Sequence, residues 1–162
     1  MREKKPPYRV LFLCTGNSAR SILAEFLLRR QAGGRFDVSS AGARPRGRVN
    51  PIVLEILRDV YRIDATGARS KSWEEFRDVS FDFVITVCDK ARESCPIWPG
   101  RPVVAHWGAA DPDEVEDEEA RRRLVRATAV DFQRRIELFS ALPLESLDRL
   151  RMEEGVRSIG RT

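Results

Sequence analysis

The sequence has 162 residues, enough for one domain to bury its own core without metal ions or disulfides. Hydrophobic residues make up 42% and charged residues 33% of the chain, a composition that excludes a disordered protein. The net charge of +4 would suit a nucleic-acid binder, but the basic residues are scattered among 25 acidic ones and only 8% of residues are aromatic. We therefore expect no nucleic-acid partner.

Hydropathy and cysteine usage bear on the compartment and on metal binding. No apolar run approaches the roughly 20 residues of a membrane helix, and the segment from Met1 to Pro7 has no signal-like apolar stretch, so we expect no membrane partner and a cytoplasmic location. Three cysteines in a reducing compartment are more often catalytic or metal-binding than structural. Because His106 is the only histidine, a zinc site is disfavoured, and we expect neither a metal nor a cofactor.

Short apolar runs alternate with helical patterns along the chain. The predicted strands cover residues 10–13, 36–40, 81–87 and 103–106. The predicted helices cover residues 20–32, a segment that begins at Pro51, a short segment that begins with a capping-box pattern at Ser72, and residues 117–140. This alternation predicts a single α/β domain, in which a parallel sheet lies between two layers of helices.

The spacing of apolar residues predicts which helix faces are buried. The second helix is expected to bury Ile52, Ile56 and Val60. The long fourth helix is expected to bury one stripe, formed by Val125, Ala129, Phe132, Ile136 and Phe139. Near the end of the chain, a further short packed helix is predicted from Leu144, Leu147 and Leu150.

The segment between the first strand and the first helix has the composition of an anion-binding loop. It reads Cys14-Thr-Gly-Asn-Ser-Ala-Arg20-Ser21. A turn of this kind points backbone N–H groups inward, together with those at the start of the helix, and Arg20 adds a planar fork for two oxygens. The same positive field stabilises a thiolate at Cys14, which would then be a nucleophile. The predicted oxyanion-binding residues are Thr15, Gly16, Asn17, Ser18, Ala19, Arg20 and Ser21.

Two further cysteines and one acid follow later strands, so the fold gathers them at the same sheet edge. Cys88 and Cys95 flank a polar segment that is predicted to be a loop or a marginal helix able to rearrange. Read alone, the two cysteines are also compatible with a second interpretation, in which they are ordinary small apolar residues. Asp111 precedes Pro112, which favours an extended backbone, and on its own it reads as a turn former.

Several of these segments together resemble a known family. The run from Val10 to Ser21 is similar to the phosphate loop of low-molecular-weight protein tyrosine phosphatases, and more closely to that of arsenate reductases built on the same fold. The resemblance continues through five short segments, namely 39–42, 84–88, 95–96, 106–108 and 111–112. It implies a four-stranded parallel sheet with strand order 2-1-3-4 and a family domain over residues 1–142. Residues 143–162 go beyond the resemblance, and we expect them to form a helical extension packed on the same domain.

The resemblance also implies an activity, the thioredoxin-linked reduction of arsenate by three cysteines in relay. Cys14 would attack arsenate, Cys88 would release arsenite as a Cys14–Cys88 disulfide forms, and Cys95 would then take over to leave Cys88–Cys95. Asp111 would be the general acid, and Arg20 would hold the oxyanion. The implied partners are arsenate, with phosphate or sulfate as competing anions, and thioredoxin or glutaredoxin as reductant.

The chain departs from the family pattern at two places. Acidic residues follow Asp111-Pro112 where phosphatases often have an aromatic pair, which argues against efficient tyrosine phosphatase activity. Lys71 stands where thioredoxin-linked members can have an acidic potassium ligand, so no potassium site is predicted. Two alternatives to the reductase remain open: hydrolysis of phosphomonoesters through a phosphocysteine, and a non-catalytic oxyanion-binding regulator.

Overall fold

The computed structural model describes residues 7–162, in which four parallel strands form one sheet. The expectation about the leading segment, Met1 to Pro6, lies outside the described residues. The strands are β1 (Tyr8–Cys14), β2 (Phe36–Gly42), β3 (Phe83–Thr86) and β4 (Val103–His106). Their order in the sheet is β2-β1-β3-β4, which confirms the predicted fold class and strand order.

Five α-helices connect and follow these strands. They are α1 (Arg20–Ala32), α2 (Pro51–Asp59), α3 (Asp89–Ser94), α4 (Glu118–Ser140) and α5 (Arg149–Ile159). Three short 3₁₀ turns complete the described elements, at Trp73–Phe76, Pro112–Glu114 and Leu144–Ser146. The bounds of α1 and β4 are those predicted from the sequence.

The central strands β1 and β3 are covered on both faces. Successive side chains of a strand point to opposite faces, and the consecutive residues from Val10 to Leu13 are all fully buried. The same holds for Phe83, Val84 and Ile85. Helices therefore pack on each side of the sheet, which explains why these strands are continuous apolar runs rather than alternating ones.

Phe139 of α4 joins the helical layer to the sheet. Its ring stacks on Phe36 at a centroid distance of 5.0 Å and meets Phe83 and Trp107 edge-on at 5.1 and 5.7 Å. Burial of such a side chain contributes about 1.5–3 kcal/mol to the free energy of unfolding. All five residues of the predicted α4 stripe are buried, so the spacing of apolar residues identified this face correctly.

Two local predictions were wrong, those for Val60 and Phe81, and the short helix predicted at Ser72 is present only as a 3₁₀ turn. Val60 is 49% exposed because α2 ends one residue earlier, at Asp59. The segment after Ser72 forms only one 3₁₀ turn, in which the Ser72 hydroxyl accepts the Glu74 N–H. Phe81 lies outside the sheet, where its ring contacts the rings of Phe76 and Trp98.

The end of the chain also differs from the prediction. Asp148 caps α5, so Leu147 precedes the helix and Leu150 lies in its first turn with 66% of its surface exposed. The buried residues of α5 are Val156 and Ile159. The helix packs against β4, and the indole N–H of Trp107 donates to the Val156 carbonyl at 3.1 Å. The division of the chain at residue 142 stays a prediction.

The close approach of α5 to the end of β4 generates a test of this packing. A Cβ atom at Gly160 would collide with the backbone carbonyl of His106. We expect Gly160→Ala to lower the free energy of unfolding by about 1–3 kcal/mol, measured by urea denaturation, because the backbone must shift. Gly67→Ala is the control, since nothing lies within 4 Å of a Cβ built at Gly67. Equal stability of both variants would contradict the described packing of α5.

Candidate active site

The loop between β1 and α1 is tightly curved. Asn17 adopts a left-handed conformation, with φ of 46°, which asparagine tolerates better than most residues. A Cβ at Gly16 would lie 2.9 Å from Nε of Arg46, so the Arg46 side chain would have to move away from the loop. Gly42, at the end of β2, likewise has no room for a Cβ, which would meet the backbone carbonyl of Thr15 at 2.5 Å. Both glycines therefore allow neighbouring segments to lie against the loop.

The Cys14 sulfur lies at the bottom of this loop and is a hydrogen-bond acceptor. The side chain is buried, and the backbone N–H of Asn17 donates to Sγ at 3.2 Å. The Ser21 hydroxyl lies 2.9 Å from the same sulfur. The N-cap residue of α1 is Ala19, whose methyl group cannot accept a hydrogen bond from the first-turn amides. The positive end of α1 therefore remains available to an anion.

Arg20 joins the loop to the segment that follows β4. Its Nη1 donates to the carbonyl oxygen of Ala109 at 3.1 Å, and its Nη2 lies 3.5 Å from Oδ2 of Asp111. The Asp111 side chain also accepts the Asp113 N–H, which holds it in an Asx-type turn. The guanidinium of Arg20 and the carboxyl group of Asp111 thus meet at the rim of the loop. An acid at this position would lie beside an oxyanion bound in the loop.

The loop forms the floor of a cavity of about 530 Å³. Its lining comprises Cys14, Thr15, Gly16, Asn17, Ser18, Ala19, Arg20, Arg44, Arg46, Cys88, Asp89, Lys90, Ala109, Ala110, Asp111, Asp113 and Glu114. Most of the residues predicted from the sequence as site residues are therefore brought together. Two of them are outside this lining: Ser21 lies behind the loop against the Cys14 sulfur, and Cys95 lies beyond α3.

Cys88 lies at the edge of the loop. It is the N-cap residue of α3, and its sulfur accepts the Ala91 N–H at 3.4 Å. The Thr15 hydroxyl lies 3.3 Å from the same sulfur. Cys14 and Cys88 therefore line the same cavity, at the same edge of the sheet.

Cys95 is separated from Cys88 by the whole of α3. The helix has six residues, so the two Cα atoms that flank it lie about 10 Å apart along the helix axis. A disulfide needs Cα atoms within about 7 Å, and α3 must therefore unwind before these cysteines can bond. Cys95 is half-buried, and this burial raises the pKa of its thiol.

Asp113 and Arg46 form a polar wall of the cavity. The Asp113 carboxylate accepts hydrogen bonds from Ser18 Oγ at 3.4 Å and from Asn50 Nδ2 at 3.3 Å, and it pairs with Arg46 at 3.3 Å. These contacts hold a charged group at the position that follows Asp111-Pro112. Arg44 and Arg46, which belong to the loop after β2, both line the cavity.

Behind the loop lies a buried polar cluster that the sequence analysis missed. Lys71 Nζ lies 3.8 Å from Glu25 Oε1 and 3.4 Å from Ser40 Oγ, and both charged side chains are less than 10% exposed. Burial lowers the pKa of Lys71, while the nearby Glu25 charge opposes that shift. The sequence feature that could have revealed this cluster is Glu25, an acidic residue within the apolar run of α1. Within residues 7–162, His, Cys, Asp and Glu side chains form no cluster suited to a metal ion.

Comparisons with known proteins place this site in context. The family model for low molecular weight phosphotyrosine protein phosphatase matches residues 9–123. An arsenate reductase of Oceanobacillus iheyensis is 36% identical over 113 residues, covering 70% of this chain and 80% of that protein. An arsenate reductase of Bacillus cereus is 38% identical over 122 residues, covering 75% and 87%.

Solved structures are similar as well. A thioredoxin-dependent arsenate reductase of Corynebacterium glutamicum superposes with a TM-score of 0.59 at 30% identity, and 82% of this chain matches 59% of that one. An arsenate reductase in a phosphate-binding state gives a TM-score of 0.68 at 28% identity, covering 83% and 97%. Within the described residues, no helix combines the length and apolar character that crossing a membrane requires.

The geometry of Arg20 predicts how the site binds a tetrahedral anion. We expect Arg20→Lys to weaken the binding of inorganic phosphate about 10- to 100-fold, because a point charge replaces a fork that makes two hydrogen bonds. Isothermal titration calorimetry on the full chain measures this change. Arg58→Lys is the matched control, since Arg58 is exposed and pairs only with its neighbour Asp59 among the contacts described for it. Unchanged phosphate affinity in Arg20→Lys would contradict this role.

Proposed function

The chain belongs to the low molecular weight phosphotyrosine protein phosphatase family, and from that premise we propose that it is an arsenate reductase that uses a relay of three cysteines. The observation that carries the proposal is the position of Cys88. Its sulfur lies beside Thr15, on the wall of the cavity whose floor holds Cys14. Hydrolysis of a phosphate ester needs no second thiol there, whereas reduction of arsenate requires one.

Arsenate would bind in the loop as a tetrahedral oxyanion. Inward-facing amides of the loop and the start of α1 would hold its oxygens, with Arg20 on the side that faces Asp111. Phosphate and sulfate have the same shape and similar charge, so they would compete for the site. The polar lining, which includes both acidic and basic groups, suits a small hydrated anion better than an aromatic ring.

In the first step, the Cys14 thiolate attacks arsenic and an As–S bond forms. One arsenate oxygen leaves as water after protonation, and Asp111 is the group placed to supply that proton. Arsenic remains in the +5 state at this stage. The hydrogen bonds from Asn17 N–H and Ser21 stabilise the sulfur both as the attacking thiolate and as the later leaving group.

In the second step, the Cys88 thiolate attacks the Cys14 sulfur. The As–S bond breaks, its electron pair stays on arsenic, and arsenite leaves as a Cys14–Cys88 disulfide forms. Two thiolates are thus oxidised while arsenic goes from +5 to +3, so the electrons balance. The Thr15 hydroxyl, within 3.3 Å of Cys88 Sγ, and the Ala91 N–H are placed to stabilise the attacking thiolate.

In the third step, the Cys95 thiolate attacks the Cys88 sulfur, so Cys14 is released and a Cys88–Cys95 disulfide remains. This exchange requires α3 to unwind, and a six-residue helix has little intrinsic stability to oppose that change. The product disulfide would lie on a surface segment. A thioredoxin or a glutaredoxin would then reduce it by dithiol exchange and restore the starting thiols.

A phosphatase activity is the second candidate, because Cys14, Arg20 and Asp111 together form the set that phosphocysteine chemistry requires. The contacts of Asp113 argue against phosphotyrosine as its substrate. This carboxylate is held in place by Ser18, Asn50 and Arg46, so it offers a fixed charge where an aromatic ring would need a stacking partner.

The relay makes a direct prediction about Cys88. We expect Cys88→Ser to abolish repeated thioredoxin-coupled NADPH consumption with arsenate, because the arsenic adduct on Cys14 then has no thiol beside it. Cys95→Ser is the matched control: it retains the first two steps, so one equivalent of arsenite is released and a Cys14–Cys88 disulfide accumulates. Mass mapping of disulfides after one equivalent of arsenate measures this difference. Many turnovers by Cys88→Ser would refute the relay, and hydrolysis of an aryl phosphate by that variant would favour the phosphatase.

Burial of Cys95 predicts a pH dependence for the third step. Because its thiol pKa is raised, only a small fraction is ionised near neutral pH, and that fraction increases about tenfold for each pH unit below the pKa. We expect conversion of Cys14–Cys88 to Cys88–Cys95 to accelerate steadily from about pH 6.5 to 8.5. Acid quenching followed by mass mapping gives the rate. A flat profile would exclude attack by Cys95 as the limiting event.

A further inference from the structure

A second cavity lies at an edge of the sheet, where β4 is the outermost strand. We call it the edge cavity; it is lined by Thr86, Arg92, residues 104–106, Arg157 and residues 160–161. Its volume is about 370 Å³, and ligand-binding cavities in proteins typically have volumes of roughly 300–1,000 Å³. The edge cavity shares no lining residue with the active-site cavity, so the proposed relay gives it no role.

The lining of the edge cavity is basic. It includes the guanidinium groups of Arg92, Arg157 and Arg161 and the imidazole of His106, and no carboxylate among residues 7–162 belongs to it. The side chains of Arg92 and Arg161 have no hydrogen-bond or ion-pair partner in the part of the chain that the structure describes. Two positive charges therefore lie in one cavity without an anion, which favours a ligand with more than one negative charge.

The third guanidinium of the cavity, that of Arg157, is oriented by the protein. Its Nε donates to the carbonyl oxygen of Val104 at 3.1 Å, and its Nη1 lies 3.6 Å from Oε2 of Glu153. Because the guanidinium is planar, these two contacts fix the direction of its remaining N–H groups. Glu153 offsets the charge of Arg157, so this residue supplies an oriented donor, whereas Arg92 and Arg161 supply the uncompensated charge.

The edge cavity also includes a residue of α3, the helix that must unwind during the relay. Asp89 and Arg92 are three residues apart in α3, so their side chains share one face of this helix. Oδ1 of Asp89 lies 3.1 Å from Nε2 of His106, and Nδ1 of the same imidazole lies 2.8 Å from the Thr86 hydroxyl. The first turn of α3 is thereby joined to the ends of β3 and β4. The Arg92 side chain, in the last turn, has no such contact with the other described residues.

We propose that the edge cavity binds a compact anion with two or more phosphoryl groups, which contacts Arg92 on α3 and Arg161 beyond α5 at the same time. Each guanidinium can form two parallel hydrogen bonds with one phosphoryl group, so two such groups match the two uncompensated arginines. A phosphoryl group also carries more negative charge than a carboxylate, about 1.5 to 2 near neutral pH.

The bound anion supplies the contact that the last turn of α3 lacks. It joins this turn to the end of α5 and therefore stabilises the folded helix. Because α3 must unwind before Cys95 can reach Cys88, the anion slows the third step of the relay. This effect on the relay rests on the proposed function, whereas the binding site and the stabilisation of α3 do not.

Two backbone amide signals of the ¹⁵N-labelled full chain report separately on the two cavities. Gly160 lines the edge cavity, and Gly16 lines the active-site cavity. With inorganic pyrophosphate as the probe, we expect the Gly160 signal to shift with a midpoint concentration about tenfold lower than with inorganic phosphate, because only pyrophosphate contacts both guanidinium groups. Equal midpoints for the two anions at Gly160 would overturn recognition of two phosphoryl groups.

Two variants each remove one of the uncompensated guanidinium groups. We expect Arg161→Met and Arg92→Met to raise the pyrophosphate midpoint at Gly160 about tenfold, because each loses a charge-assisted pair of hydrogen bonds. The midpoint at Gly16 should stay within about twofold of the wild-type value, since neither arginine lines that cavity. A wild-type midpoint at Gly160 in either variant would overturn the proposal.

The matched control is Arg151→Met, which removes the same charge from α5. Arg151 is exposed and does not line the edge cavity, so we expect the Gly160 midpoint to stay within about twofold of the wild-type value. Arg20→Lys should give the reverse pattern, with weaker binding at Gly16 only. A rise at Gly160 in Arg151→Met as large as that in Arg161→Met would reduce the site to a general effect of net charge and would reject it.

Hydrogen exchange measures the effect of the anion on α3 without arsenate. The Arg92 N–H donates to the Cys88 carbonyl oxygen at 3.1 Å, so its exchange with water reports on opening of this helix. At a pyrophosphate concentration about ten times the midpoint, we expect this exchange to slow about five- to tenfold, close to the limit that mass action sets when the anion binds only the folded helix. Arg161→Met should show no such slowing. Equal exchange with and without pyrophosphate in the wild-type chain would overturn the stabilisation of α3.

Disulfide mapping after one equivalent of arsenate connects the edge cavity to the relay. Pyrophosphate bound in the loop would lower the yield of both disulfides, whereas pyrophosphate in the edge cavity should let Cys14–Cys88 accumulate and delay Cys88–Cys95. Arg161→Met should lose only the delay. An unchanged rate of Cys88–Cys95 formation with the edge cavity saturated would overturn the effect on the relay. A chain that binds pyrophosphate in the edge cavity but forms no disulfide with arsenate would retain the site and reject the proposed function.

Discussion

The site depends on one interaction, that of the Cys14 sulfur with the N–H and O–H groups of the loop that carries it. A sulfur anion is stable at a buried position only where donors converge on it. Asn17 and Ser21 provide two such contacts, and the start of α1 adds its positive end. The same field that stabilises the anion attracts an oxyanion above it, so nucleophile and substrate site arise from one arrangement of the backbone.

The parallel sheet accounts for what else reaches that loop. Because all strands run in the same direction, the segments after β1, β3 and β4 emerge along one edge. They bring Cys88 and Asp111 to the cavity that Cys14 and Arg20 also line. A phosphatase and a reductase share most of this arrangement. They differ in whether a second thiol can react with the Cys14 sulfur after the first step. The short α3 helix is the element that would have to move.

Two ion pairs flank the loop, one buried behind it and one at the cavity. The Lys71–Glu25 pair is buried, and the Ser40 hydroxyl forms hydrogen bonds with both of its members. Asp113 and Arg46 form a second ion pair, at the mouth of the cavity, where water reaches both side chains. The buried pair therefore lies behind the loop, and the exposed pair lies where a substrate would enter the cavity.

The sequence alone determined the α/β class, most element positions and the anion-binding loop, because these follow from local periodicity and from residue types next to one another. Local patterns misplaced Val60 and Leu150, whose burial depends on where a helix begins or ends rather than on spacing alone. Only the tertiary structure decided that Lys71 meets Glu25 and that Arg46 meets Asp113. Such pairs are far apart in the chain, and their contact is set by strand register and helix packing, which short-range patterns do not encode.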